Sequence, residues 1–170
     1  IAVFNDATRD GLKGSVFEKT AKGYISGSSK GTASKIMFGI RGGVGVGQGW
    51  TVENAMVINY MSAHDNNTLW DKLQLSNGRD SDDDRNKMNN LGAAIIMVSK
   101  GTPFWQAGEE MLRTKPTEDG GFDHNSYMSS DEVNNIDWSV LDGESRQYQT
   151  MVYYKGLIEM RAAYDVFRSG

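Results

Sequence analysis

Residues 55–66, AMVINYMSAHDN, read as a strand that runs out of an apolar interior straight into polar chemistry. Ala55 to Met61 is an apolar run rich enough in β-forming residues to be covered on both faces, as parallel strands are. It passes directly into Ser62, Ala63, His64, Asp65 and Asn66. Upstream, Ile1 to Phe4 is a second short apolar run, closed by Asn5 and Asp6, which can cap the next segment. That segment, Ala7 to Lys13, has helical character. Gly14 to Gly31, rich in Gly, Ser and Lys without a sustained period, reads as a long ordered loop, and Ala33 to Arg41 as a short helix.

Downstream, Thr68 to Leu75 predicts a turn or two of helix, broken by Ser76-Asn77-Gly78. Ser81 to Asp84 then precedes a helix over Arg85 to Lys100, with Met88, Leu91, Ile95 and Val98 recurring at helical spacing. Acids in its first turn and Lys100 at its end suit the helix dipole. Gly101-Thr102-Pro103 stops that helix, and Phe104 to Ala107 reads as a third strand. Lys115 to Ser130 is polar and predicts an exposed loop. Ser145 to Ala163 predicts a second long helix, with Tyr148, Met151, Val152, Leu157, Ile158 and Met160 on one broad apolar face. Strand, loop and helix thus repeat about three times, which argues for an α/β fold with a parallel sheet and crossover helices. Three such units do not close an eight-stranded barrel, which takes about 250 residues.

With 170 residues, 38% apolar and 24% charged, the chain has enough to bury the core of an ordinary globular domain, or of part of a larger one. A net charge of −4 with scattered Lys and Arg argues against nucleic acid as a partner. No apolar run reaches the roughly 18 to 20 residues of a membrane span, so a soluble chain with no membrane partner is expected. There are no cysteines and only two histidines, His64 and His124, which excludes disulfides and thiolate metal sites and disfavours a histidine-based zinc site. Compartment stays undecided. The start at Ile1, without an initiator Met or signal-like block, suggests a piece of a longer chain.

Several motifs favour a plain reading. The glycines of Gly42 to Gly49 do not fit GxGxxG and no GK[ST] comes after them, so a loop is expected rather than a phosphate cradle. Asp82 to Asp84 lack the alternating pattern of a calcium loop and suit a helix start. Trp50, Trp70, Trp105 and Trp138 have burial as their commoner fate. A carboxylate just beyond the end of a buried strand, however, is well placed for catalysis, because in parallel barrels the loops after the strands build the site. His64 and Asp65 hold that position, and as adjacent residues leaving a strand they are expected to diverge, so that each can hold a different group of one bound ligand. Asp and Asn after a strand are also ordinary turn residues, and periodicity does not choose between the readings.

Four extended runs bear on the choice. YMSAHDNNTLWDKL (Tyr60 to Leu73) resembles the fourth signature region of the alpha-amylase superfamily, glycoside hydrolase family 13, in the form seen in type I pullulanases. FNDATRDGLKGSVFEKTAKGYISG (Phe4 to Gly27) resembles the strand and loop after that family's general-acid segment. GTPFWQAGEEMLRTK (Gly101 to Lys115) resembles its eighth-strand segment, and HNSYMSSDEVNNIDW (His124 to Trp138) the loop after that strand. The resemblance covers most of the chain, in the right order.

It implies that residues 1–170 are the C-terminal portion of a glycoside hydrolase catalytic barrel, a partial TIM (β/α)8 barrel of about the sixth to eighth strand-helix units. It makes Asp65 the third carboxylate, which binds ring hydroxyls and helps distort the sugar, with His64 and Asn66 beside it as substrate-binding residues. Asp131 falls where the family has the acid of a D-x-x-x-R pattern that grips the next sugar, and Asn135 stands in place of the arginine. Glu109 and Glu110 become part of the frame around the site; Arg113 itself is placed either to reach into the cleft or to pair with those acids, and the second reading is preferred. The implied partner is an α-glucan, and the implied parent activity is retaining hydrolysis of α-1,6 bonds in pullulan and branched starch or glycogen fragments. Nothing in the chain resembles the segments of the nucleophilic Asp and general-acid Glu, so the isolated chain is expected to be inactive and to need the rest of the barrel, or self-association, to cover its edges. No cofactor or metal is implied; calcium in the parent is not supported by this sequence. The alternatives are a non-catalytic glucan-binding or structural fragment, and another family 13 debranching specificity such as isoamylase or glycogen debranching.

Overall fold

A computed structural model of the chain describes residues 1–44, 51 and 53–169. Three short strands, β1 (Val3–Phe4), β2 (Val57–Tyr60) and β3 (Thr102–Phe104), form one parallel sheet in the order β1-β2-β3. The register pairs Phe4 with Ile58 and Tyr60 with Phe104. The connections carry helices α1 (Asp6–Lys13), α2 (Ala33–Ile40), α3 (Leu69–Ser76) and α4 (Asp82–Val98); a short α5 (Asp131–Asn134) and the long α6 (Arg146–Ala163) come after β3. The α/β reading and its parallel sheet are therefore correct.

Side chains alternate across β2. Val57 and Asn59 are buried against the helices, where Asn59 accepts from Asn5 Nδ2 at 2.9 Å and donates to the carbonyls of Gly39 at 3.1 Å and Lys100 at 2.7 Å. One buried amide thus joins the ends of β1, α2 and α4. Tyr60 faces the other way and meets Phe4 edge-on at 5.0 Å and Phe104 at 6.4 Å between ring centroids. Phe4 and Phe104 themselves remain partly exposed on that face. On the helix side, Leu12, Ile36, Met61, Leu69, Leu73, Ile96 and Leu157 pack into a single core.

Asn5 forms the expected cap, and Ser81 forms another. Asn5 accepts from the Thr8 amide at 3.1 Å to start α1, and Ser81 does the same for Asp84 at the start of α4. The third strand differs from expectation: it occupies Thr102–Phe104, not Phe104 to Ala107. Gly101 makes the turn at φ 90°, and a Cβ there would lie 2.7 Å from the Val57 carbonyl, so the chain enters the sheet immediately after it. Pro103 is tolerated because β3 is an edge strand, where a missing N–H breaks no ladder.

The apolar faces assigned to the long helices are also off-centre. In α4 the buried positions are Asn89, Gly92, Ala93, Ile96 and Met97, while Leu91 is exposed; in α6 they are Thr150, Tyr154, Leu157 and Arg161, while Val152 and Ile158 are exposed. The reason is a polar seam between the two helices. Asn89 donates to the Tyr154 hydroxyl at 3.1 Å and Thr150 to Asn86 at 2.9 Å, and Arg161 donates to the carbonyls of Met97, Ser99 and Gly101 at 2.6 to 2.8 Å. Of the Gly42 to Gly49 loop, residues 45–49 lie outside the described residues, as does Trp50. Trp70 and Trp105 are half-buried and Trp138 is exposed.

Candidate functional site

The β2 strand ends at Tyr60, and the chain then bends through His64 to Asn67. Asn66 sits at φ 65°, a left-handed conformation that Asn tolerates better than most residues, and it folds the loop back toward α3. His64 and Asp65 therefore stand at the tip, with side chains 88% and 76% exposed. They do not diverge. His64 Nδ1 lies 3.1 Å from Asp65 Oδ1, because a bend replaces the extended backbone that would have sent them apart.

Helix α3 begins right after this loop, with Thr68 capping the Asp71 amide at 3.1 Å. Two polar residues of its first turns are as buried as its leucines: Asp71 is fully buried and Lys72 is 2% exposed. Asp71 accepts from the Thr114 hydroxyl at 2.5 Å and the Lys115 amide at 2.9 Å, so it ties the segment after β3 to the helix. Burial pushes its carboxyl above the usual range, and those two donors oppose the shift. Lys72 Nζ donates to the carbonyls of Ser15, Glu18 and Lys19 at 2.9, 2.5 and 3.1 Å, which ties down the loop after α1. A single short helix thereby holds the loops beyond two different strands.

Arg113 does not pair with Glu109 or Glu110 as expected. Its guanidinium donates to the main-chain carbonyls of Ala107, at 3.2 Å, and Asn134. The cause is backbone shape: Gly108 at φ 93° and Leu112 at φ 56° wind the chain so that Arg113 folds over Gly108. A leucine held at positive φ is strained, and such strain gathers where a loop is closely specified. Through Asn134, Arg113 also holds α5, which carries Asp131 in its first turn and ends at Asn135. Both of these residues are exposed, and the Asn135 amide donates to the Asp131 carbonyl at 2.7 Å. Among the described residues no hydrogen bond or ion pair joins them to His64 or Asp65. Asn135 borders a cleft of about 120 Å³ with Leu112, Arg113, Ile136 and Gln147. The Lys115 to Ser130 stretch is less exposed than its polarity suggests, since Lys115 and Ser126 are buried and bonded to each other at 2.5 Å.

Beneath the loop lies a buried polar chain centred on Glu109, which was expected in the frame around the site; its links to Ser62 and Tyr154 are what the sequence did not mark. Glu109 is 5% exposed; its carboxylate accepts from the Ser62 hydroxyl and, at 3.0 Å, from the Tyr154 hydroxyl. Burial pushes Glu109 up to about 7, and Lys13, also buried, is pushed down to about 8. Tyr60, which donates to Asp6 at 2.5 Å and accepts from Arg9 at 2.7 Å, is pushed up to about 12, chiefly by burial. No sequence pattern marks Ser62 or Asp71. The nearest signal is a run of polar residues too close to apolar neighbours to reach solvent.

Among the described residues no group of three or more His, Asp or Glu is placed to hold a metal ion, and no helix is long and apolar enough to cross a membrane. A cavity of about 650 Å³ lies at the opposite end of the sheet, beside Ala55, Gly101 and Thr102, and holds none of the predicted site residues.

No family model matches the chain. Known proteins do. A pullulanase of Bacillus subtilis (strain 168) is 35% identical over 99% of the chain, which spans 22% of that protein. The structure of a pullulanase from Bacillus acidopullulyticus is 41% identical with a TM-score of 0.86, over 99% of this chain and 19% of that one. A pullulanase from Paenibacillus barengoltzii, solved in complex with maltohexaose and alpha-cyclodextrin, is 40% identical with a TM-score of 0.89, over 99% and 25%. The chain thus spans a quarter or less of the relatives it matches. These matches are all to pullulanases. More narrowly, the chain is homologous along nearly its whole length to one segment of the pullulanases, as the four runs implied.

Proposed function

We propose that residues 1–170 supply about the sixth to eighth strand-helix units of a pullulanase catalytic barrel, an incomplete domain whose parent hydrolyses α-1,6-glucosidic bonds with retention. The observation that carries this reading is the place of Asp65: an exposed carboxylate just beyond the C-terminal end of the middle strand of a parallel sheet, in a chain that matches pullulanases throughout. Active sites of β/α barrels lie at that end of the strands. The consecutive, all-parallel order β1-β2-β3 supports a barrel sector, and the exposed ring faces of Phe4 and Phe104 support contact with further barrel strands or a second copy.

Retaining hydrolysis uses one carboxyl to protonate the leaving oxygen and another to attack the sugar, through an oxocarbenium-like transition state. The resemblance assigns those two groups to upstream segments. Asp65 is a third carboxylate: it accepts hydrogen bonds from ring hydroxyls as the ring flattens, and its charge favours the positive charge that develops there. His64, 3.1 Å from Asp65, orients that carboxylate and shares the same sugar, with Asn66 at the turn. Asp131 and Asn135 border the next sugar, with a weaker grip because Asn135 lacks the guanidinium of the family pattern. The partner is an α-glucan; complexes of a related pullulanase with maltohexaose and alpha-cyclodextrin support that class.

The test is Asp65→Asn in an intact pullulanase carrying this segment, assayed for release of reducing sugar from pullulan. Turnover collapses on this reading. The isolated chain releases none; hydrolysis by it would show that the upstream carboxyls are dispensable and would favour a different reaction centre.

A further inference from the structure

We infer that Glu109 is a positioning residue for Asp65, acting through Ser62. The inference rests on the proposed role of Asp65 and adds to it the group that sets where that carboxylate stands.

The loop needs such a group. Among the described residues, Ser62 to Asn66 make no main-chain hydrogen bond to other main chain. The ladder ends at Tyr60, and the next fixed point is the Thr68 cap of α3. Between them, the buried Ser62 side chain holds the loop, three residues before Asp65, and its hydroxyl donates to Glu109 Oε2. Glu109 is itself fixed. Its amide donates to the Gln106 carbonyl at 3.0 Å, and its other carboxylate oxygen accepts from Tyr154, which in turn accepts from Asn89. The chain of bonds from α4 through α6 to the β3 exit therefore ends on the loop that carries Asp65.

Protonation matters here because a carboxylate accepts from both hydroxyls, whereas a carboxylic acid must donate one proton. Donation toward Ser62 turns that hydroxyl around and changes the anchor. Three titratable groups bear on Glu109: Lys13 of α1, Tyr154 of α6 and its neighbour Glu110. Burial, with Glu110, opposes the ionised carboxylate, while the hydrogen bonds from Ser62 and Tyr154 and the charge of Lys13 favour it. The balance lies near neutrality, at about 7. The anchor is thus complete on the alkaline side and altered on the acid side.

A frame residue without a positioning role would affect folding alone, so the test sets the Ser62–Glu109 bond against buried bonds elsewhere in the frame. In an intact pullulanase carrying this segment, Ser62→Ala and Glu109→Gln lower kcat on the order of 10- to 100-fold, as expected when a reacting group is displaced by about an ångström, with KM changed by less than about threefold. Arg161→Met, which breaks buried bonds at the C-terminal end of α6, outside the chain that fixes Glu109, lowers Tm and leaves kcat within about twofold. Glu109→Gln also removes the fall in kcat on the acid side of about 7. Unchanged kcat in Ser62→Ala and Glu109→Gln overturns the inference, and so does an equal loss in Arg161→Met. Asp65→Asn run alongside tells the two failures apart. If it collapses turnover while the Ser62 and Glu109 variants do not, only the positioning role falls; if it leaves turnover normal, the role of Asp65 falls and the inference with it.

Discussion

Asp71 and Lys72 are neighbours on one helix, yet each is buried against a different loop. Asp71 holds Thr114 and Lys115 beyond β3, and Lys72 holds the carbonyls of Ser15, Glu18 and Lys19 beyond α1. The helix that bears them starts directly after the Asp65 loop, so it lies where three connections meet. A site whose acting group sits on a loop needs rigid support of this kind.

Removing either tie should loosen one loop and not the other. Lys72→Met leaves three carbonyls without their donor and should cost about 1 to 3 kcal/mol, with faster hydrogen exchange confined to residues 15–19. Asp71→Ala should show the same pattern at residues 113–116. Loosening of both loops by either change would contradict independent ties.

Arg161 closes the C-terminal end of α4 by donating to the carbonyls of Met97, Ser99 and Gly101. Its cation also suits the negative end of that helix. Arg161→Met should lower stability by about 2 to 4 kcal/mol, read from chemical denaturation, since buried acceptors lose a charged partner.

The stability of the fold should depend on pH through Glu109 and Lys13. Glu109 has a folded value near 7 against an ordinary 4.5, so it holds its proton more tightly when folded; the stability this contributes is complete below about 4.5 and is lost as pH rises through 7. Lys13 has a folded value near 8 against 10.5, so its contribution is present above about 10.5 and is lost as pH falls through 8. Together they place a minimum near 7 to 8. Glu109→Gln should flatten the acid-side limb in Tm measured across pH, and an unchanged limb would assign it to other groups.

Gly39 lets α2 lie against α1, because a Cβ there would come within 2.2 Å of the Thr8 hydroxyl oxygen. Gly39→Val should destabilise the fold by about 1 to 3 kcal/mol through overpacking, despite the usual benefit of replacing a helical glycine. Thermal unfolding of this variant and of Gly39→Val with Thr8→Ala should show partial recovery in the pair.

Much of this arrangement is legible in the sequence for physical reasons. The β2 strand lies in a run that is apolar but for Asn59, Asn5 is a good helix cap, Ser81 to Asp84 suit a helix start, and Asp65 lies where the apolar run gives way to polar residues. Periodicity fails on the faces of α4 and α6 because their contact is polar: Asn89, Thr150 and Arg161 are buried by bonds that a hydrophobic pattern does not register. The same holds for Asp71, whose partners lie 43 and 44 residues away, and for Ser62, which meets Glu109 across 47. A buried polar residue is readable only with its partner in view, and distant partners are set by the fold.

Every functional step proposed for this chain depends on Asp65 stabilising a glycosyl transition state. The decisive experiment is the steady-state hydrolysis of pullulan by an intact pullulanase carrying this segment with Asp65→Asn. A fall in kcat of about 10²- to 10³-fold with KM little changed is expected, as for loss of a group that acts mainly in the transition state. Near-normal kcat in a folded Asp65→Asn enzyme would contradict that role.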